Sequence, residues 1–368
     1  MSENSHFTQP PTQPPMQPPA RTPAESPPQP PTQTPAQTPA RKLAESPPQT
    51  RADGPSSLSS PRPDLSVSFA GLRLKNPVIA ASGTFGYGRE YAGLVDVASL
   101  GGIATKGLTL EPRSGNRGER LHETPSGLIN SIGLENPGIP AFIEKELPAL
   151  RLLGAVVFAN LSGGSLEAYV EGAVLLDGAE GVDAIELNVS CPNVRQGGMN
   201  FGIDPEVAAQ VVRLVRRRCA KPLMVKLSPN APDLLAVARA CEAAGADALS
   251  LVNTFKAMAI DVERARPVFD NLTAGLSGPA IRPIALRMVW EVVGAVNIPV
   301  VGMGGIATSR DALEFLMAGA AAVEVGTATF ANPFAMAYIV AGIEDFMRRR
   351  GFASIAELRG LARGAPRP

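Results

Sequence analysis

Eight short apolar, β-prone runs recur through this chain, at residues 77–81, 102–106, 155–161, 183–188, 223–227, 248–252, 298–301 and 322–325. They constrain its fold more than any other feature. Near-continuous apolar runs, without polar alternation, are the mark of parallel strands covered on both faces. Alanine-rich stretches with helical periodicity separate several of them, including residues 205–218, 232–244 and 309–318. Eight such units over about 290 residues suit an α/β protein of the (β/α)8 TIM-barrel class with insertions better than an open sheet. Ahead of the first unit, residues 65–74 alternate and break at Ala70-Gly71, which predicts a short N-terminal hairpin. Residues 108–149 are too many for a simple strand-to-helix loop and are expected to form an insertion on the catalytic face.

The first 64 residues differ in kind. They hold half of the 36 prolines, mixed with Gln, Thr and Ser, and Ala24-Glu-Ser-Pro-Pro-Gln29 recurs as Ala44-Glu-Ser-Pro-Pro-Gln49. Such a segment cannot bury enough apolar surface to offset its ordering entropy. It reads as a disordered tail of polyproline II character, a solvated linker before docking ligand, followed by a barrel domain over residues 65–368.

Composition removes several function classes. The 34 basic residues balance 34 acidic ones, which argues against nucleic acid or an anionic membrane as the main partner. No apolar run reaches the roughly 18–20 residues of a membrane span, and no signal peptide is expected. Cys191, Cys219 and Cys241 form no CxxC pair, so a disulfide framework and an iron–sulfur cluster are both excluded, and a cytoplasmic setting fits. With His6 in the tail, only His122 remains, read as an exposed loop residue; a multi-histidine metal site is impossible.

Chemistry in a barrel stands at the carboxyl ends of its strands. Those positions read Ser82, Lys106, Asn160, Asn188, Lys226, Asn253, Gly304-Gly305 and Gly326-Thr327. So polar a rim would be costly to bury unpaired, and a polar ligand is expected there. Asparagine offers donors and an acceptor in one plane, so Asn130, Asn188 and Asn253 suit the imide edges of a planar heterocycle. Gly302-Met-Gly-Gly305 and Gly326-Thr327 follow the last two strands, where barrels bind phosphate; without a third glycine they make no dinucleotide fingerprint. Tight turns would use the same glycines. Cys191 follows the fourth strand in Asn188-Val-Ser-Cys-Pro-Asn193. A thiol there can serve as a proton acceptor or simply fill space. The Gly197-Gly198 pair after it can hinge a lid.

These residues also resemble a known family. Asn76-Pro-Val-Ile-Ala-Ala-Ser-Gly-Thr-Phe-Gly86, Thr105-Lys-Gly-Leu-Thr109, Asn130-Ser-Ile-Gly-Leu-Glu-Asn136, Asn188-Val-Ser-Cys-Pro-Asn193, Val225-Lys-Leu-Ser-Pro-Asn230, Gly275-Leu-Ser-Gly-Pro-Ala280 and Gly302-Met-Gly-Gly-Ile306 are similar to class 1 dihydroorotate dehydrogenases, most closely the B form. The likeness runs from about residue 65 to 360 in collinear order and departs from the pattern at Ala257 and Ala274, where glycine is expected. It implies oxidation of (S)-dihydroorotate to orotate in pyrimidine biosynthesis. Cys191 would take the C5 proton while hydride passes from C6 to flavin mononucleotide. Lys106, Asn130, Ser131, Ile132, Gly133, Leu134, Asn188, Asn253 and Thr254 would hold the substrate. Ser82, Lys106, Gly107, Asn160, Asn188, Lys226, Val252 and Gly278 would hold the flavin, and Gly304, Gly305, Gly326 and Thr327 its phosphate. The B form further implies a homodimer core joined to a subunit carrying FAD and a [2Fe–2S] cluster, a heterotetramer that reduces NAD+. Two other readings stay open at this level: the same chemistry with fumarate or a related dihydropyrimidine, and a non-enzymatic scaffold.

Overall fold

The computed structural model describes residues 62–190 and 201–364. Val67–Phe69 and Leu72–Leu74 pair antiparallel around Ala70 and Gly71, at φ 49° and 76°. Two successive left-handed residues make the turn whose twist matches that of the strands, so the predicted hairpin forms where the alternation breaks.

Eight parallel strands then close on themselves. In chain order they are Val78–Ala80, Gly102–Ala104, Val157–Leu161, Ala184–Asn188, Leu223–Lys226, Ala248–Leu251, Val300–Met303 and Ala322–Val325, each beside the next, with the eighth against the first. Closure leaves no free edge, and every residue of these strands is buried. This is the (β/α)8 barrel that the sequence predicts. The seventh strand begins two residues later than the predicted 298–301, since Pro299 has no N–H to give a ladder. Helices Pro205–Arg216, Leu234–Ala243 and Ser309–Met317 lie within two residues of their predicted ends. Their starts are chemically marked. Asp204 accepts from the N–H groups of Glu206 and Val207 ahead of Pro205, and Thr308 and Asp311 form a reciprocal capping box.

The predicted insertion after the second strand contains its own hairpin, Leu121–Thr124 with Gly127–Asn130. A second insertion, after the sixth strand, supplies Phe255–Ala257 and Ala274–Ser277. Together they make one antiparallel sheet in which Asn130 faces Gly275 and Leu128 faces Ser277. This sheet is a cap drawn from two strand-end loops. His122 is corrected here: it is half-buried in a strand, edge-on to the Phe269 ring at 6.4 Å, because the insertion is a folded hairpin and not a loop.

Candidate active site

Among the described residues, the eight barrel strands carry three charged side chains, Glu186, Lys226 and Glu324. Lys226 ends the fifth strand, and its Nζ lies 3.7 Å from Glu186 Oε1 and 3.6 Å from Glu324 Oε2. All three are buried. Nζ also donates to Ser82 Oγ at 3.0 Å, just past the first strand. Burial alone would discharge this ammonium, but the neighbouring glutamates, Glu186 foremost, outweigh that and raise its pKa above the usual lysine value. Lys226 is therefore a fixed cation at the carboxyl end of the barrel.

From Glu186 a chain of hydrogen bonds crosses the strand ends. Asn160 Nδ2 donates to Glu186 Oε2 at 2.5 Å, and Asn188 Nδ2 donates to Asn160 Oδ1 at 3.3 Å. Ser190 Oγ donates to Asn188 Oδ1 at 2.7 Å, and Asn253 Nδ2 donates to Ser190 Oγ at 2.6 Å. Asn253 Oδ1 in turn accepts the Thr254 N–H at 2.8 Å. The rim amides thus meet one another's needs, and each is locked in orientation by its neighbour. Thr105 Oγ1 and the Tyr169 hydroxyl brace the chain from outside, on the Asn160 N–H and the Asn188 carbonyl.

Opposite this chain lies a turn of bare backbone. Gly278, Gly304 and Gly305 sit at φ 94°, 119° and 74°, where only glycine is unstrained. A Cβ on Gly305 would stand 2.7 Å from the Gly278 carbonyl oxygen, and one on Gly304 would stand 3.1 Å from Val252 Cγ2. Thr327 Oγ1 donates to Ser277 Oγ at 2.8 Å, which ties the eighth strand's end to the same corner. The N–H groups of Gly304, Gly305 and Gly326 find no acceptor among the described residues.

The cap supplies the remaining wall. Gly107 packs so closely that a Cβ would lie 3.1 Å from both Asn160 Oδ1 and Leu134 Cδ2, which brings the 130–134 loop to the amide chain. That loop carries two left-handed residues, Gly133 and Leu134, at φ 77° and 56°. Asn116 braces it by taking the Ile132 carbonyl and donating to the Ser131 carbonyl and hydroxyl, while Asn271 donates to Ser131 Oγ. Buried Asn136 makes four hydrogen bonds, to Thr109, Leu134 and Gly138. Asn130 Nδ2 donates to the Gly275 carbonyl, and the Thr254 side chain lies over Gly275. Lys106 is half-buried; its backbone N–H donates to the Gly86 carbonyl at 2.9 Å, its carbonyl accepts from Thr105 Oγ1 at 3.1 Å, and its charge acts on the Glu135 carboxylate.

Cys191 lies outside the described residues. Its predecessor Ser190 is buried in the amide chain. Gly197 and Gly198 lie outside them as well, while the other predicted substrate and cofactor residues stand at the strand ends, in the glycine corner or on the cap. Sequence reading missed Glu186 and Glu324, though each interrupts an otherwise apolar run, Ala-Ile-Glu-Leu and Ala-Val-Glu-Val. It missed Ser190 and Asn116 too, which carry no signal beyond their neighbourhood. A groove of about 690 Å³ lined by Leu166, Val170, Val174 and Leu214 lies on the outer helices, away from all these groups.

Comparison with known proteins agrees with this geometry. The family model for dihydroorotate dehydrogenase matches residues 64–347. The catalytic subunit of dihydroorotate dehydrogenase B (NAD(+)) from Petrotoga mobilis is 55% identical over 298 residues, covering 81% of this chain and 99% of that protein. The like-named subunits of Geotalea daltonii and Trichlorobacter lovleyi are 54% and 53% identical, over 81% and 82% of this chain and 98% and 100% of theirs. A barrel whose mouth is built this way, aligned along nearly the whole length of these subunits, belongs to the dihydroorotate dehydrogenase family.

Proposed function

We propose that this chain oxidises (S)-dihydroorotate to orotate in pyrimidine biosynthesis with flavin mononucleotide, and that its electrons reach NAD+ through a partner subunit. One observation carries the reading: a buried charged lysine, a locked chain of amides and a bare glycine turn face the same barrel mouth. The glycine corner suits the flavin's phosphate, because unengaged N–H groups and absent side chains let an anion approach the backbone. Gly304, Gly305, Gly326 and Thr327 hold that phosphate. Ser82, Lys106, Gly107, Asn160, Asn188, Lys226, Val252 and Gly278 hold the ring system. When bound, the flavin supplies the hydride acceptor.

The substrate's ring meets Asn130, Ser131, Ile132, Gly133, Leu134, Asn188, Asn253 and Thr254, whose amides match its alternating N–H and C=O groups. Lys106, whose charge also acts on Glu135, faces the substrate's carboxylate. Cys191, one residue beyond Ser190, accepts the proton from C5. Lys226 offers charge that is already in place when negative charge develops beside it, so little reorganisation is needed.

The relatives are named as catalytic subunits of NAD(+)-linked enzymes, which supports a partner for this chain. Three cysteines cannot supply a four-cysteine cluster, which fits a partner that carries the FAD and the [2Fe–2S] cluster, joined to a homodimer of this chain in a cytoplasmic heterotetramer. Anaerobic addition of dihydroorotate to the yellow protein tests the reading. Bleaching of the flavin is expected, with NAD+ reduced only when the partner is present. An unbleached flavin overturns the substrate, and rapid turnover with fumarate alone overturns the acceptor.

A further inference from the structure

The two glutamates facing Lys226 are unequal. Glu186 accepts from Asn160 Nδ2 at 2.5 Å and from Ser250 Oγ at 2.8 Å, besides lying 3.7 Å from the ammonium. No donor reaches a Glu324 carboxyl oxygen within hydrogen-bond distance among the described residues; its near partners are Lys226 Nζ at 3.6 Å and the Glu186 carboxyl. Glu324 is 1% exposed and Glu186 is not exposed at all.

Were both ionised, the dry barrel would hold two negative charges against one positive. Carboxylates sharing such a site cannot both ionise at ordinary pH, and one keeps a proton. The donors decide which. An ionised carboxylate is acceptor-only and gathers N–H and O–H groups, as Glu186 does, whereas the neutral acid brings its own O–H, for which the neighbouring Glu186 carboxylate is the acceptor. Burial pushes the Glu324 carboxyl well above the usual range, the Glu186 charge adds to that, and Lys226 only partly opposes it. Among the described residues, Glu186 and Lys226 are the charged groups that act on Glu324.

We infer that Glu324 carries a proton at neutral pH and that the Glu186 carboxylate alone counters Lys226, so that the triad is neutral and fixes the ammonium beside Ser82. Glu324 is then a positioning residue: it fills the far side of Nζ with a polar but uncharged group. Lys226 keeps its charge without a second counter-ion drawing it from the mouth. Sequence-adjacent strands supply Glu186 and Lys226, and Glu324 arrives from the eighth strand, so the triad exists only in the closed barrel. Its bearing on turnover rests on the reading above; the placement of the proton does not.

The test uses the full chain at neutral pH, without substrate. Its infrared spectrum is expected to contain the carbonyl band of a buried protonated carboxyl, and Glu324→Gln is expected to abolish that band. Melting temperature against pH gives a second readout. A carboxyl whose folded pKa is raised contributes stability that is full below its unfolded value and is lost as pH rises toward the folded one. Glu324→Gln removes that loss, so its melting temperature should gain on the parent's from pH 5 to pH 9. Glu186→Gln turns an amide N–H toward Asn160 or Ser250 and makes Glu324 the sole counter-ion. The band is expected to vanish there also, with dihydroorotate oxidation falling at least about tenfold and its pH profile displaced. A parent spectrum without the band, or a Glu324→Gln spectrum that keeps it, overturns the inference. That comparison decides even if Glu186→Gln does not fold. A chain that carries the band but is not bleached by dihydroorotate overturns the substrate and leaves the proton where we place it.

Discussion

Ser190 Oγ is held between Asn188 and Asn253, so the residue that precedes Cys191 is fixed. The thiol's value to the reaction is its reachable pKa; a serine hydroxyl is a far weaker acid. Cys191→Ser is expected to lower the rate of flavin reduction at pH 7 by about 10²–10⁴-fold, with partial recovery at high pH, in stopped-flow traces. An unchanged rate would remove Cys191 from the mechanism. At this scale most of the site was legible, because each rim residue ends an apolar run and a polar group at such a place stands out. Glu186 was harder. It lies inside its run, where a strand reads as core, and only its parity with Asn188, two residues on and facing the same side, betrays that it points inward. Asn136, in the same motif as Asn130, is an internal brace whose side chain makes four hydrogen bonds.

Among elements, the barrel strands were legible and the cap was not. Strands covered on both faces are apolar throughout and announce themselves. The cap strands are short, half-exposed and glycine-containing, as in Gly127–Asn130 and Ala274–Ser277, and their partners lie far along the chain. Period-2 patterning is too weak over four residues to be seen. The two departures from the family's pattern, Ala257 and Ala274, turn out to be cross-strand partners in this sheet, so both occupy one rung. The glycine corner yields its own prediction. Gly305→Ala would put a methyl against the Gly278 carbonyl at a φ of 74°, a conformation costing an L-residue about 1–2 kcal/mol. Flavin titration is expected to give affinity weakened about tenfold or more, with the melting temperature lowered; equal affinity would place the phosphate elsewhere.

For the whole molecule, proline-rich composition through residue 64 and a family match that begins at the same residue set the tail apart from the catalytic unit. Deletion of residues 1–61 is expected to leave the midpoint of urea unfolding and the rate of dihydroorotate oxidation unchanged. A lower midpoint would mean that the tail packs on the barrel. The alkaline limit belongs to Lys226. Its raised folded pKa contributes stability that is complete below the usual lysine value of 10.5 and is withdrawn as pH climbs through the folded one.

Asn130 and Gly275 join across 145 positions of chain, in a sheet whose residues are mostly half-covered, while the barrel strands beneath are wholly covered. A sheet that is only half-covered opens at lower cost than strands that are wholly covered, so the roof can loosen while the staves hold. Amide hydrogen exchange should therefore be faster at Ile129 and Leu276 than at Leu187 and Val225. Small molecules would then enter and leave through a breathing roof, with no strand of the barrel unzipped.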